Sequence, residues 1–88
     1  MTEETIESRL KRMIVDRLFM KIAPEAIEDE KSLVKDYGVD SVSLFELVVG
    51  IEEEFGIRIG DEEFDIKHFL SVAALARFVR SKLAAPGA

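Results

Sequence analysis

Apolar residues recur along the chain at spacings of three and four, and this period predicts helices from end to end. Ile6, Leu10, Met13, Ile14 and Leu18 fall on one face with Arg and Lys between them, which predicts an amphipathic first helix. Thr2 is its expected N-cap, and Glu3 and Glu4 fall in a first turn where the helix dipole favours negative charge. Pro24 is expected to end the pattern, because proline lacks an N–H and restricts the residue before it. A long connection follows, "APEAIEDEKSLVKDYG", with a short helical turn expected at Pro24–Ile27 and with Leu33, Val34 and Tyr37 pinning it to a core. Structured loops of this length are more often functional than idle.

The second strong pattern runs from Ser41 to Phe55, where Leu44, Leu47, Val48, Ile51 and Phe55 make the buried stripe. Glu46, Glu52, Glu53 and Glu54 lie mostly off it, and Gly56 is placed to stop the helix. "GDEEFD" reads as a brief helix capped by Asp61. Ser71 caps a last helix whose apolar face is Val72, Leu75, Ala76, Val79 and Leu83. "GIRIG" alternates, yet it is too short for more than an extended connector. No repeat and no long heptad is present. The expected fold is all-α: a small irregular bundle of three main helices and one short one, forming one domain over residues 1–88 with a flexible tail from about 84 to 88.

A chain of 88 residues can build one modest core. With no Cys it has no disulfide framework, no thiolate zinc site and no thiol nucleophile of its own. The acidic start "MTEETIESRL" does not read as a signal peptide, and no apolar run approaches membrane-spanning length, so a cytoplasmic setting without membrane insertion is expected. The net charge of −6 is unevenly spread. From Asp36 to Asp65 ten acids face one base, Arg58, whereas Lys67, Arg77, Arg80 and Lys82 follow without a single acid. An acidic middle disfavours nucleic acid and anionic lipid and favours basic protein surfaces, although a charge run also serves as a plain solvated face.

Chemistry is scarce. Ser41 as a self-sufficient nucleophile needs an oriented base, and the chain holds one imidazole, His68, which beside Phe69 reads as a boundary residue. The carboxylates of "DEEFD" lack the alternating ligand pattern and glycine turn of a calcium loop, so no metal site is indicated. Asp40 accounts for itself as a helix N-cap, and Ser43 with Glu46 offers an alternative capping box. Capping does not account for Val42, Phe45 and Val49, which lie off the buried stripe among acids. Two readings stand here: a helix start that only closes the core, and a half-exposed apolar row that docks proteins.

The stretch "DYGVDSVSLFELVVGIEEEFGIRIGDEEF" resembles the signature region of acyl carrier proteins, and the resemblance extends from "IESRLKRMI" to "SVAALARFV". The Gly38-to-Ser41 spacing, together with Glu46-Leu47-Val48, Glu52-Glu53-Glu54-Phe55 and Asp61-Glu62-Glu63, carries it. The resemblance implies that Ser41, preceded by Asp40, is where a separate transferase attaches 4′-phosphopantetheine from coenzyme A. It implies acyl cargo held as thioesters for enzymes of fatty-acid or related lipid and polyketide synthesis, and no catalysis by the chain itself. Partner residues carried over are Asp40, Val42, Glu46, Val49, Glu52, Glu53 and Ile59. They would meet basic patches on the phosphopantetheinyl transferase, acyl transferases and synthases, the carrier acting as a monomer. Alternatives are polyketide, nonribosomal peptide or aminoacyl cargo, and an unmodified helical adaptor. The chain departs from the family pattern in Val42 where Leu is usual, Ser43 where an acid is common, a bulky Phe45, Arg58, a longer first loop and a basic last helix. Those departures point to a specialised carrier.

Overall fold

The computed structural model of the chain describes residues 5–60, 62 and 64–84. Among them four α-helices follow in order: α1 (Ile6–Leu18), α2 (Leu33–Tyr37), α3 (Ser41–Phe55) and α4 (Val72–Leu83). Two 3-10 turns, Pro24–Ala26 and Ile66–Phe69, interrupt the connections, and no strand occurs among the described residues. The expected irregular all-α bundle is what forms.

Both ends of α1 differ from expectation. Its N-cap is Thr5, whose hydroxyl accepts the Ser8 N–H at 3.0 Å. The expected cap, Thr2, lies outside the described residues. Thr5 directly precedes the first apolar position, so capping there wastes no turn on residues with nothing to bury. The helix then stops at Leu18, well before Pro24, because Phe19 turns left-handed at φ 53°. Its reversal lets the Met20 N–H bond the Val15 carbonyl at 3.1 Å and satisfies an end-of-helix acceptor. Glycine usually holds such a position. Here a phenylalanine does, and it is 88% exposed.

The long connection is stitched down more firmly than a loop. Ile27, Leu33 and Val39 are buried. The Leu33 N–H donates to the Leu70 carbonyl at 2.8 Å, and the Ala73 N–H donates to the Asp29 carbonyl at 2.9 Å. These bonds tie the connection to the entry of α4. Lys11 pairs with the Asp29 carboxylate at 2.6 Å, and the Tyr37 hydroxyl accepts the Glu28 N–H at 2.9 Å. The short turn expected near Pro24 is present, while α2 is an extra helix. It is capped reciprocally: Ser32 Oγ accepts from Lys35 N–H at 3.0 Å and Asp36 Oδ2 accepts from Ser32 N–H at 2.9 Å. Residues four apart share a helix face, so Leu33 and Tyr37 turn inward and Val34, one step off, is exposed.

Helix α3 has the predicted limits, with Gly56 at φ 65° ending it. Its Leu44, Leu47 and Ile51 meet Leu10 and Ile14 of α1 and Val72, Leu75, Ala76 and Val79 of α4 in one buried cluster. Ser71 caps α4 as expected, accepting the Ala74 N–H at 3.1 Å. Leu83 was expected on the buried face but is exposed, since the last turn runs past the core, and Phe78 is buried instead. Asp61, the expected cap of a brief helix, lies outside the described residues. The 3-10 turn falls later, at Ile66–Phe69, where Asp65 accepts the Lys67 N–H at 3.0 Å and Phe69 is completely buried. Phe69 supplies the bulk that draws this turn inward, and an aromatic row runs through it. Phe45 meets Phe64 edge-on at 5.9 Å, Phe64 meets Phe69 at 5.1 Å, and Phe69 meets Phe78 at 6.4 Å.

Two substitutions check this packing. Phe19→Gly relieves a left-handed side-chain clash at an exposed site and should stabilise the fold by about 0.5–1 kcal/mol after glycine's greater unfolded-state entropy is counted. Phe69→Ala should cost about 3–5 kcal/mol, the range for emptying a buried aromatic site. Denaturant unfolding of both variants measures the two signs.

Candidate functional site

The start of α3 is built by three consecutive local decisions. Gly38 takes φ 70° and ends α2, a conformation glycine adopts without steric cost. Val39 is then buried and donates its N–H to the Leu33 carbonyl at 3.0 Å, which anchors the turn. Asp40, in extended backbone, caps α3: its Oδ1 accepts the Ser43 N–H at 2.8 Å, and its carbonyl accepts the Leu44 N–H at 2.9 Å. Ser41 is therefore the first helical residue and is exposed. The hydrogen bond from Ser43 holds the Asp40 carboxyl below the usual aspartate range despite some opposing desolvation.

A hydroxyl at that position faces the positive end of a helix of 15 residues. It suits attachment of an anionic group, since the dipole tolerates the charge and solvent surrounds it. It does not suit autonomous catalysis. The imidazole of His68 is stacked on the Phe78 ring with centroids 4.6 Å apart, committed to packing. No cluster of metal-ligating side chains occurs among the described residues.

Next to Ser41 the exposed apolar row is real: Val42 is 77% exposed, Phe45 67% and Val49 43%. The acids beside it are placed differently from a row of free carboxylates. Glu46 accepts from Arg17 Nη1 at 2.8 Å, and Glu53 accepts from the other terminal nitrogen of the same guanidinium. Glu52 turns along the chain to accept the Ile59 N–H at 2.8 Å, and Ile59 itself is half-buried against the core. Glu54 is held by Arg9 through Nε at 3.0 Å, while Arg9 also donates to the Glu54 carbonyl at 2.8 Å and lies over the Phe55 ring.

The sequence profile described as "Phosphopantetheine attachment site" matches residues 8–79. The acyl carrier protein of Nitratidesulfovibrio vulgaris strain DP4 is 36% identical over 78 residues, covering 89% of this chain and 97% of that one. That of strain DSM 19637 / Miyazaki F is 35% identical over the same extent. The chain belongs to the acyl carrier protein family. The solution NMR structure of a holo acyl carrier protein from Nitrosomonas europaea superposes with a TM-score of 0.82, covering 93% of this chain and all of that one at 20% identity, which shows the shared fold. As a family member the chain carries acyl groups on a covalently attached 4′-phosphopantetheine arm.

In this carrier Asp40, Ser41, Val42 and Val49 lie exposed at the start and along one side of α3. The structure gives Glu46, Glu52 and Glu53 intramolecular donors, and it packs Ile59 partly buried against the core. Phe45 belongs to the apolar row read from the sequence but not to the partner residues that the resemblance carries over, and Arg17 belongs to neither. Arg17 had a legible signal: Glu46, Gly50 and Glu53 share one helical face, and a glycine between two acids leaves a slot for a long basic side chain.

The Asp40 cap makes an acid-limb prediction. A carboxyl whose folded pKa is depressed contributes stability above its unfolded value, and that contribution fades as pH falls through the folded value. Wild type should melt above Asp40→Ala at neutral pH, and the gap should close in strong acid. Melting temperature against pH for the two proteins measures it.

Proposed function

We propose that Ser41 is the attachment residue of this carrier and that the exposed side of α3 is where its enzymes dock. The observation that carries the reading is the exposed Ser41 hydroxyl at the first position of α3, fixed by the Asp40 cap and flanked by an uncovered apolar row. In the transfer Ser41 Oγ would form its bond to the phosphorus of the phosphopantetheine half of coenzyme A as the pyrophosphate P–O bond breaks, adenosine 3′,5′-bisphosphate leaving and the transferase taking the Ser41 proton. When attached, the arm supplies a terminal thiol that holds acyl cargo as a thioester. The chain's own part is to present, orient and release, and it catalyses nothing itself.

Asp40 fixes the first turn of α3, so the attachment point has one direction. Val42 and Val49, with Phe45 between them, supply desolvated contact for a phosphopantetheinyl transferase, acyl transferases and synthases. Glu46, Glu52 and Glu53 border that contact and steer basic partner patches toward it. Ile59 closes one edge. The carrier works as one domain over residues 1–88, as a monomer in the cytoplasm, and none of its described helices is long and apolar enough to cross a membrane. Its departures from the family pattern, Val42, Ser43 and Phe45 foremost, support service in a specialised branch of fatty-acid or related lipid and polyketide synthesis.

Incubation of the apo carrier with coenzyme A and a broad-specificity phosphopantetheinyl transferase tests the attachment. Intact mass should rise by one phosphopantetheinyl group, and Ser41→Ala should show no rise. A gain that survives Ser41→Ala, or no gain in wild type, overturns the assignment. For the docking row, Val42→Asp should lower kcat/KM of the transfer by about tenfold, equivalent to about 1.4 kcal/mol of lost contact, without lowering the melting temperature. An unchanged rate would remove Val42 from the interface.

A further inference from the structure

The acidity of α3 is answered from within the molecule, and its central donor is a residue of the first helix. Arg17 reaches α3 at Gly50, where a Cβ would lie 2.6 Å from Met13 Sδ, 2.9 Å from Arg17 Cδ and 3.0 Å from Arg17 Nε. Its stem therefore occupies the space that any other residue would fill. Beyond that crossing the guanidinium opens between Glu46, one turn before Gly50, and Glu53, one turn after it. Two carboxylates share one permanent cation, and bonding to Glu46 and Glu53 raises its pKa further, so no physiological pH releases it. The guanidinium's fork matches this geometry as an ammonium does not.

We propose that Arg17 is a specificity-determining residue of the carrier: an internal cation that competes with partner arginines and lysines for Glu46 and Glu53. The inference rests on the docking reading above and adds to it which partners the face favours. The two carboxylates keep 49% and 64% of their side chains exposed, so a partner can reach them. It meets a pair already neutralised in part, and exposed ion pairs are weak enough to be exchanged. The remaining acids of α3 are engaged as well, Glu54 by Arg9 and Glu52 by the Ile59 N–H. The face thus attracts basic surfaces less than the sequence charge suggests and places more weight on Val42, Phe45 and Val49. A partner whose basic dock also presents an apolar contact for that row matches the face, and docks that rely on cations alone gain less from it.

A mutant cycle read by phosphopantetheinyl transfer tests this. Transfer from coenzyme A to the apo carrier by a transferase with a basic docking patch is followed for wild type, Arg17→Gln, the pair Glu46→Gln/Glu53→Gln, and all three together. Arg17→Gln should lower KM for the carrier roughly three- to tenfold at low salt with kcat unchanged, because charge steers encounter. The gain should disappear at roughly 0.5 M salt, where screening reaches only a few ångström. Adding the two glutamine substitutions should cancel it. Arg17→Lys, which keeps the charge but replaces the fork by a single ammonium, should fall between wild type and Arg17→Gln and keeps the test available if Arg17→Gln folds poorly.

A role confined to joining α1 and α3 would lower the melting temperature of Arg17→Gln and leave KM and its salt slope where they were, which overturns the proposal. If KM does not fall in either Arg17 variant while Glu46→Gln/Glu53→Gln raises it, the competition is refuted and the docking face stands. If no substitution changes KM in any background, the docking of acids on this face is refuted together with it.

Discussion

The approach of α1 to α3 at Gly50 is the constraint on which the rest of this carrier depends. At that crossing a Cβ on α3 would displace the side chains of Met13 and Arg17 from where they now lie. Close approach on this line lets Leu10 and Ile14 interdigitate with Leu47 and Ile51, and all four are wholly buried. Dense contact of this kind supplies most of what holds a small helical domain together, since its helices are too short to persist alone. Gly50 weakens α3 by its own propensity, as glycine does within any helix. The surrounding packing compensates for it.

Fixing α3 against α1 also fixes which of its sides is left open. Buried positions turn toward α1 and α4, so Val42, Phe45 and Val49 must face outward, and Ser41 must stand at the exposed start. The connection before it contributes equally. Because Leu33 and Val39 are buried and the Leu33 and Ala73 amides are bonded across to it or from it, the turn at Gly38 has a firm base. A hydroxyl proposed as the attachment point benefits from such a base, because little ordering is left to be done on encounter. The exposed start of α3 and the core are thus parts of one packing solution.

Charge follows the same geometry. Arg9 and Arg17 of α1 lie against the glutamates of α3, and Arg80 of α4 grips Glu7 of α1 through two bonds of 2.8 Å. Bonding to Arg80 holds the Glu7 carboxyl below its usual range. Exposed pairs such as these contribute little individually to stability. Their larger consequence is that the electrostatic face seen by a partner differs from the one summed along the chain. An acidic segment in sequence becomes, in space, an apolar row beside carboxylates that already have donors.

Much of the fold is legible in the sequence alone. The period of the apolar residues fixed α1, α3 and α4 as helices, because burial on one side of a helix leaves a repeat that no connection needs. Asp40, Gly56 and Ser71 marked helix ends correctly, since capping is chemistry between residues a few positions apart. The motif around Ser41 identified the family for the same reason: it is contiguous. Tertiary structure decided the rest. It stopped α1 at a left-handed Phe19 instead of at Pro24, made a helix of Leu33–Tyr37, and exposed Val34 and Leu83 while burying Phe78. It also paired Arg17 with Glu46 and Glu53 across more than two dozen residues of intervening chain. Local order is written in neighbouring residues, whereas the partner of a side chain depends on which helices pack together, and only the folded chain sets that distance.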